Sequence, residues 1–206
     1  IEFSHRSVSG VLLVVTLIIF AKTRKFQKES LVRTVTNYLT FFVIFEALIG
    51  AVIVIFEWVG LNSSLPRIIA VPIHLVNTFG LLGSYAILYK ILKDDLQNIK
   101  NMFNKNFLLI SSLFLLSGAT GSITALADVL FPSASFVEGF LADFDRTSEV
   151  LTRLRILHPI ISSTLSIVLY VYATGIRKKY NVSVKPLQTL ILIAVFLGVI
   201  NVLSNI

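Results

Sequence analysis

Residues 35–56 read VTNYLTFFVIFEALIGAVIVIF and carry a single charged side chain, Glu46. A helix needs about 20 apolar residues in a row to cross the hydrocarbon core of a bilayer, and this stretch provides them. The residues do not alternate between polar and apolar, so the pattern predicts a helix and not the strand of a membrane barrel. The stretch therefore predicts a membrane protein with helical spans.

The rest of the chain has the same character. Of its 206 residues, 55% are apolar and 14% are charged, whereas a soluble domain carries roughly 25% charged residues. This composition excludes a disordered chain and an ordinary soluble enzyme, and the lack of cysteine excludes a disulfide framework or a thiolate metal site. We predict an all-α polytopic membrane bundle with six transmembrane helices. Besides 35–56, the predicted spans are about 7–21, 68–92, 107–130, 154–176 and 187–204.

The basic residues are distributed unequally between the two sides of the predicted membrane. Thirteen of the 18 lysines and arginines fall in the loops that follow the first, third and fifth spans. By the positive-inside rule these loops are cytoplasmic, and the chain begins outside. This asymmetry explains the net charge of +7 without a nucleic-acid partner. The prediction is an integral, multi-pass protein of a bacterial or archaeal cell membrane.

The outer loop 131–153 contains a second apolar pattern. Its apolar residues recur at helical spacing among acidic ones, which indicates a short amphipathic helix lying on the outer surface. The alternative is a solvated loop with one capped turn. The apolar residues are Phe136, Val137, Phe140, Leu141 and Phe144.

Three histidines, His5, His74 and His158, each lie within about two turns of the outer end of a predicted span. Polar groups at this depth are costly unless they find partners inside a bundle. A lone histidine here is more often an interfacial residue, but three at one depth favour metal ligation. Imidazole is a usual axial ligand of haem iron. A haem held between helices fits the pattern better than zinc, which would need further ligands close by.

Several charged residues accompany these histidines. Glu2 precedes His5 by three residues and so shares its helix face, where it could transfer protons or orient the imidazole. It could equally be an acid of the first helical turn. Arg6 and Arg155 could pair with haem propionates, or anchor their helices at the interface. Glu46 lies well inside a span, where a carboxylate is a functional or inter-helix bonding candidate.

Two glycine-bearing segments are similar to each other. Residues 48–53 read LIGAVI and residues 197–202 read LGVINV, and each follows a histidine-bearing helix and a basic loop. The similarity indicates a weak internal duplication. It predicts a fourth histidine beyond residue 206. A further small-residue segment, 118–122, predicts close packing between helices.

Four segments resemble the haem A synthase family. Residues 2–6, EFSHR, resemble the E-x-x-H-R motif that opens that family's second helix, and residues 45–50 resemble its third helix. Residues 72–75 and 153–159 resemble its fourth helix and the start of its sixth. The resemblance implies eight transmembrane helices in two four-helix halves, so that 1–106 holds family helices 2–4 and 107–206 holds helices 5–7. The first and last helices would lie outside this chain.

The resemblance also implies an activity, which is oxidation of the C8 methyl group of haem O to the formyl group of haem A, for use in terminal oxidases. The reaction would proceed through successive hydroxylations and loss of water from a gem-diol. The implied partners are haem O, the haem O synthase that supplies it and membrane lipid, with the electron donor unidentified and a homo-oligomer left open. The cysteine pairs that many members carry in outer loops are absent from the 131–153 loop, which puts thiol-dependent electron delivery in that half in doubt.

Two alternatives to this enzyme remain. One is a non-catalytic bis-histidine cytochrome b that passes electrons, and the other is a transporter or assembly protein whose histidines are interfacial.

By the resemblance, the site residues divide between two haems, both near the outer face. The implied catalytic residue is Glu2, the residues implied to bind the substrate haem O are His5, His74 and Arg6, and those implied to bind the haem b cofactor are His158 and Arg155. The implied ligands of haem iron are the three histidines.

Overall fold

The computed structural model describes residues 2–94 and 104–204, with the side chains of 4–94 and 104–203. Within these residues every regular element is a helix. Six of the helices are long and two, α5 and α6, are short. The helices are α1 Glu2–Thr23, α2 Leu31–Ile55, α3 Leu65–Asp94, α4 Lys105–Leu130, α5 Phe136–Phe144, α6 Val150–Leu154, α7 Leu157–Tyr180 and α8 Lys185–Ser204.

The described helices confirm the prediction of six membrane spans. Six helical segments are long and apolar enough to cross a bilayer, with α6 and α7 counted together as Val150–Tyr180. The third helix, Leu65–Asp94, extends a few residues beyond the predicted 68–92 because apolar patterning marks only the hydrocarbon part of a span. The chain is therefore an integral, multi-pass, all-helical membrane protein.

The chain divides into two compact units, Ile1–Asn104 and Lys105–Ile206. In the first unit α2 packs against both α1 and α3. The buried core joins Val35, Leu39 and Val43 of α2 to Leu81 and Leu88 of α3. These residues lie early in α2 and late in α3, so the two helices run antiparallel and are packed most tightly at that end.

One glycine permits the close approach of α2 and α3. A Cβ atom at Gly80 would lie 2.7 Å from the ring of Phe42, a separation that carbon atoms do not tolerate. At the opposite end of the unit, where α1 begins, residues 4–11 are all exposed. The first unit is thus closed at one end and open along the first turns of α1.

In the second unit α4 packs along α7, and α8 contacts α7. Gln188 Nε2 of α8 donates to Thr174 Oγ1 of α7 at 3.1 Å, and Ile191 is the last buried residue of α8. Residues 192–203 are all exposed. The predicted amphipathic segment is helical, as α5, with Ser135 accepting from Glu138 N at its start.

Candidate functional site

His74 lies in the third turn of α3, beside α2. Its Nδ1 is 3.4 Å from Glu46 Oε1 and is buried without a hydrogen bond to any described residue. A Cβ atom at Gly50 would lie 3.8 Å from His74 Cε1, so the ring faces the glycine across a gap that a Cβ atom would just fill. The imidazole thus stands between a carboxylate and a small residue, with an unpaired ring nitrogen.

The Glu46 carboxylate is held in place from α3. Asn77 Nδ2 donates to Glu46 Oε2 at 2.6 Å and to Phe42 O at 2.9 Å. The Thr78 hydroxyl also donates to Glu46 and lies 3.0 Å from the carbonyl of His74. These contacts fix the carboxylate on the side of the imidazole. Carboxylates placed behind a histidine ring in this way orient metal-binding imidazoles.

His158 occupies the first turn of α7 and faces α4. Its Nδ1 lies 3.0 Å from Ser117 O, and because a carbonyl oxygen only accepts, this geometry assigns the proton to Nδ1. Nε2 then keeps its lone pair, which is the form of imidazole that coordinates iron. A Cβ at Gly121 would lie 2.9 Å from His158 Cε1, so the predicted close packing of the 118–122 segment is against this ring.

The ring nitrogens of both histidines are suited to binding haem iron. A neutral imidazole with one ring nitrogen bonded to protein and the other free is what an axial ligand requires. His158 meets this requirement through Ser117. His74 has the Glu46 carboxylate beside its unpaired Nδ1. Each histidine is also partly exposed, which leaves its ring accessible from one side.

Arg155 is buried, at 8% exposure, and is bound by two carboxylates. Its guanidinium contacts Asp143 Oδ1 at 2.8 Å and Asp128 Oδ1 at 3.0 Å, and it donates to Gly139 O at 3.2 Å. Burial raises the pKa of Asp143 above its ordinary value, and the Arg155 charge opposes that shift. Arg155 thus ties α5 to α4 just ahead of α7. Its role toward a propionate stays a prediction.

The remaining predicted residues lie at the start of α1. His5 and Arg6 belong to the exposed stretch 4–11. The side chain of Glu2 lies outside the described side chains, so its pairing with His5 stays a prediction. α1 runs parallel to α3, because Thr16 bonds Tyr85 while both helices pack antiparallel to α2. His5 and His74 therefore lie toward the same end of the unit, and a shared haem between them stays a prediction.

The sequence did not reveal every contact of the site. It singled out Glu46, but the bonds from Asn77 and Thr78 were missed. The spacing in the sequence could have indicated them: Asn77 follows His74 by three residues and Thr78 by four, so both lie on the same helix face as His74. The internal similarity aligned Gly50 with Gly198, yet Gly198 has open space around its Cβ position. The glycine that contacts the second unit's histidine is Gly121 instead.

Comparison with known proteins gives the family. Residues 1–206 match the family COX15-CtaA, described as cytochrome oxidase assembly protein. Two proteins from two strains of Thermus thermophilus are each named protoheme IX farnesyltransferase and are 35% identical to the chain over 181 residues. The match covers 85% of this chain but only 29% of each relative. No solved structure matches the chain.

The family match extends over the segments whose resemblance pointed to haem A synthases, and it confirms that resemblance. It also agrees with the membrane-spanning helices described above. The chain belongs to the COX15-CtaA family of cytochrome oxidase assembly proteins.

Proposed function

We propose that this chain carries the haem-oxidising activity of a haem A synthase, which converts the C8 methyl group of haem O to a formyl group. One observation carries the proposal. Each unit presents an imidazole from the beginning of a helix against a glycine of the neighbouring helix, His74 against Gly50 and His158 against Gly121. Membership of a cytochrome oxidase assembly family supports the same conclusion, because haem A serves terminal oxidases.

The relatives from Thermus thermophilus support a place for the chain in haem modification. Their name describes transfer of a farnesyl group to protohaem IX. The chain matches 29% of each relative, so most of each relative lies outside the shared segment. Haem O is a farnesylated protohaem, and the transfer would therefore supply the substrate class that the proposed oxidation consumes. A haem O synthase is accordingly the partner that we expect.

In the first unit the proposed substrate haem lies between His5 and His74. Glu46 accepts from His74 Nδ1 once the ring turns toward it, and Asn77 and Thr78 keep the carboxylate from turning away. This arrangement directs His74 Nε2 to the open side of the ring. Glu2 is the proposed general base for the protons released as the methyl group is oxidised, a role that carboxylates fill in enzymes.

In the second unit His158 would hold the proposed haem b through Nε2, since its Nδ1 lies 3.0 Å from Ser117 O and donates to it. When bound, haem iron supplies electron transfer and oxidative chemistry. Arg155 is held by Asp128 and Asp143. It lies three residues before His158, and with α5 it forms the proposed border of this site. Its proposed contact with a propionate requires one of its acceptors to be exchanged.

The proposal is tested by extracting pigments from cells that make haem O together with the full-length protein. Wild type should yield haem A. Glu2→Gln keeps the size of the side chain but cannot take up a proton, and haem A formation should fall by ~10²-fold or more while bound haem is retained. Glu29→Gln, an exposed acid in the loop between α1 and α2, is the matched control and should remain active.

Two outcomes would count against the proposal. Wild type that binds haem O yet forms no haem A would refute the synthase activity. Full activity in Glu2→Gln would remove Glu2 from the chemistry. Wild type that retains bound haem but forms no haem A would instead support an electron-carrying bis-histidine cytochrome.

A further inference from the structure

Arg67 lies at the beginning of α3, seven residues before His74. Residues seven apart in a helix are two turns apart and share a face. With a rise of 1.5 Å per residue, they are separated by about 10 Å along the helix axis. Arg67 thus shares a face of α3 with His74 and lies nearer the end of the span at which α3 begins.

The guanidinium of Arg67 is anchored on one side only. Its Nη1 donates to Gly60 O at 2.7 Å and to Asn62 O at 2.6 Å. Its Nε is buried and has no hydrogen-bond partner, and the same is true of Ser64 Oγ, one turn earlier. Buried donors without acceptors are uncommon in folded proteins and call for an explanation such as a bound group. Here two of them lie one turn apart.

The charge of Arg67 is also unbalanced. Among residues 4–94 and 104–203 no carboxylate forms an ion pair with it, in contrast to Arg155, which is paired with Asp128 and Asp143. A partly buried guanidinium near the end of a span is costly without an anion. Its planar shape suits a carboxylate, which it can bind through two parallel hydrogen bonds.

We propose that Arg67 and Ser64 bind a carboxylate on the edge of the porphyrin whose iron is held by His74, that is, a haem propionate. The inference rests on the proposed function and adds a specificity-determining residue that the sequence did not indicate. The axial separation of Arg67 and His74 is comparable to the distance between the iron of a haem and its propionate oxygens. A phospholipid headgroup offers the same anionic chemistry at this depth, so the test must separate the two.

The test uses purified full-length protein titrated with ferric protohaem and, separately, with its dimethyl ester, in which both propionates are blocked. Absorbance of the bound haem reports affinity without any turnover. Wild type should bind the free acid roughly 10- to 100-fold more tightly than the ester at the first-unit site, the range expected for hydrogen bonds to a charged group. The second-unit site is unaltered by the substitutions below and provides an internal reference.

Arg67→Gln should abolish this preference by weakening binding of the free acid while leaving that of the ester unchanged. Arg67→Lys keeps the charge but not the two-pronged geometry and should retain part of the preference. Ser64→Ala should reduce the preference with little risk to folding, because the hydroxyl makes no bond that folding needs. Lys28→Gln, at an exposed basic residue in the loop between α1 and α2, removes a positive charge of the first unit away from His74; it is the matched control and should behave as wild type.

The outcomes separate this inference from the proposed function. Failure of wild type to bind either haem would refute the proposed function itself. Equal binding of acid and ester by wild type, or a preference that survives in both Arg67→Gln and Ser64→Ala, would overturn the role of Arg67 and leave haem binding intact. Loss of co-purifying phospholipid in Arg67→Gln with the haem preference unchanged would identify a lipid headgroup as the occupant, and would also overturn it.

Discussion

The two glycines that contact histidine rings differ in how much room they leave. At Gly121 an added Cβ would lie 2.9 Å from His158 Cε1, whereas at Gly50 it would lie 3.8 Å from His74 Cε1. Only the first separation is shorter than van der Waals contact allows. The position of the His158 ring therefore requires the absence of a side chain at position 121, whereas the position of the His74 ring does not require a glycine at position 50.

This difference gives a matched pair of substitutions. Gly121→Ala should push the His158 ring away from Ser117 and destabilise the protein by about 1–3 kcal/mol, as overpacking usually does. Gly50→Ala should be tolerated, since its Cβ meets the ring at an ordinary distance. The measurement is the detergent-solubilised protein's unfolding midpoint, together with bound haem per chain. Equal effects of the two alanines would show that the ring of His158 adjusts freely.

Glu46 shows what could be predicted at this scale and what could not. A carboxylate inside an apolar run is visible in the sequence, and its functional candidacy follows from its cost in the membrane. Its partners could not be assigned, because pairing Glu46 with Asn77 and Thr78 depends on how α2 and α3 are offset along their axes. That offset depends on side-chain fit, such as the packing of Phe42 against Gly80, which periodicity does not encode.

At the scale of the element, α5 was predicted correctly as a helix, but the contact that attaches it to the rest of its unit was not predicted. Apolar spacing predicted the helix, and Ser135 caps it by accepting from Glu138 N. Its exposed apolar face includes Phe140 and Phe144. The sequence did not show that Arg155, from the turn before α7, would hold α5 through Asp143. Long-range ion pairs of this kind have no local sequence signal.

The attachment of α5 can be tested through Arg155. Arg155→Gln leaves two carboxylates without a cation, and breaking a buried ion pair costs about 3–5 kcal/mol. We expect α5 to detach and the loop 145–149 to become sensitive to protease, with the membrane spans intact. Limited proteolysis followed by mass spectrometry measures this directly. Unchanged cleavage would mean that apolar contacts hold α5 without the ion pairs.

Asp143→Asn is the control for that experiment, and its pH dependence has a definite sign. Burial raises the pKa of Asp143, so the folded chain binds this proton more readily than the unfolded chain. The group therefore favours folding as the pH falls through its raised pKa and opposes folding at higher pH. Asparagine mimics the protonated form. We expect Asp143→Asn to destabilise the protein less than Arg155→Gln at neutral pH. We also expect it to remove the part of the pH dependence of stability that comes from Asp143.

For the whole molecule, composition and hydropathy were sufficient to predict the membrane class and the six spans. These follow from bulk transfer energies, which depend on residue type and length alone. The division into Ile1–Asn104 and Lys105–Ile206 and the helix pairs within each unit depend on side-chain fit. The contacts described for His74 all come from α2 and α3, and those for His158 from α4 and α7.

This confinement of contacts predicts two haem sites that can be lost separately. His74→Ala should remove about one haem per chain and leave the other, and His158→Ala should do the same for the second unit. The losses should add in the double variant, because substitutions that share no contacting partners usually behave independently. The measurement is haem per chain in purified protein, with a spectrum of the haem that remains. His5→Ala should match His74→Ala if both rings bind one haem. Loss of both haems in either single variant would instead mean that the two histidines serve one common site, and the assignment of separate substrate and cofactor haems would have to be abandoned.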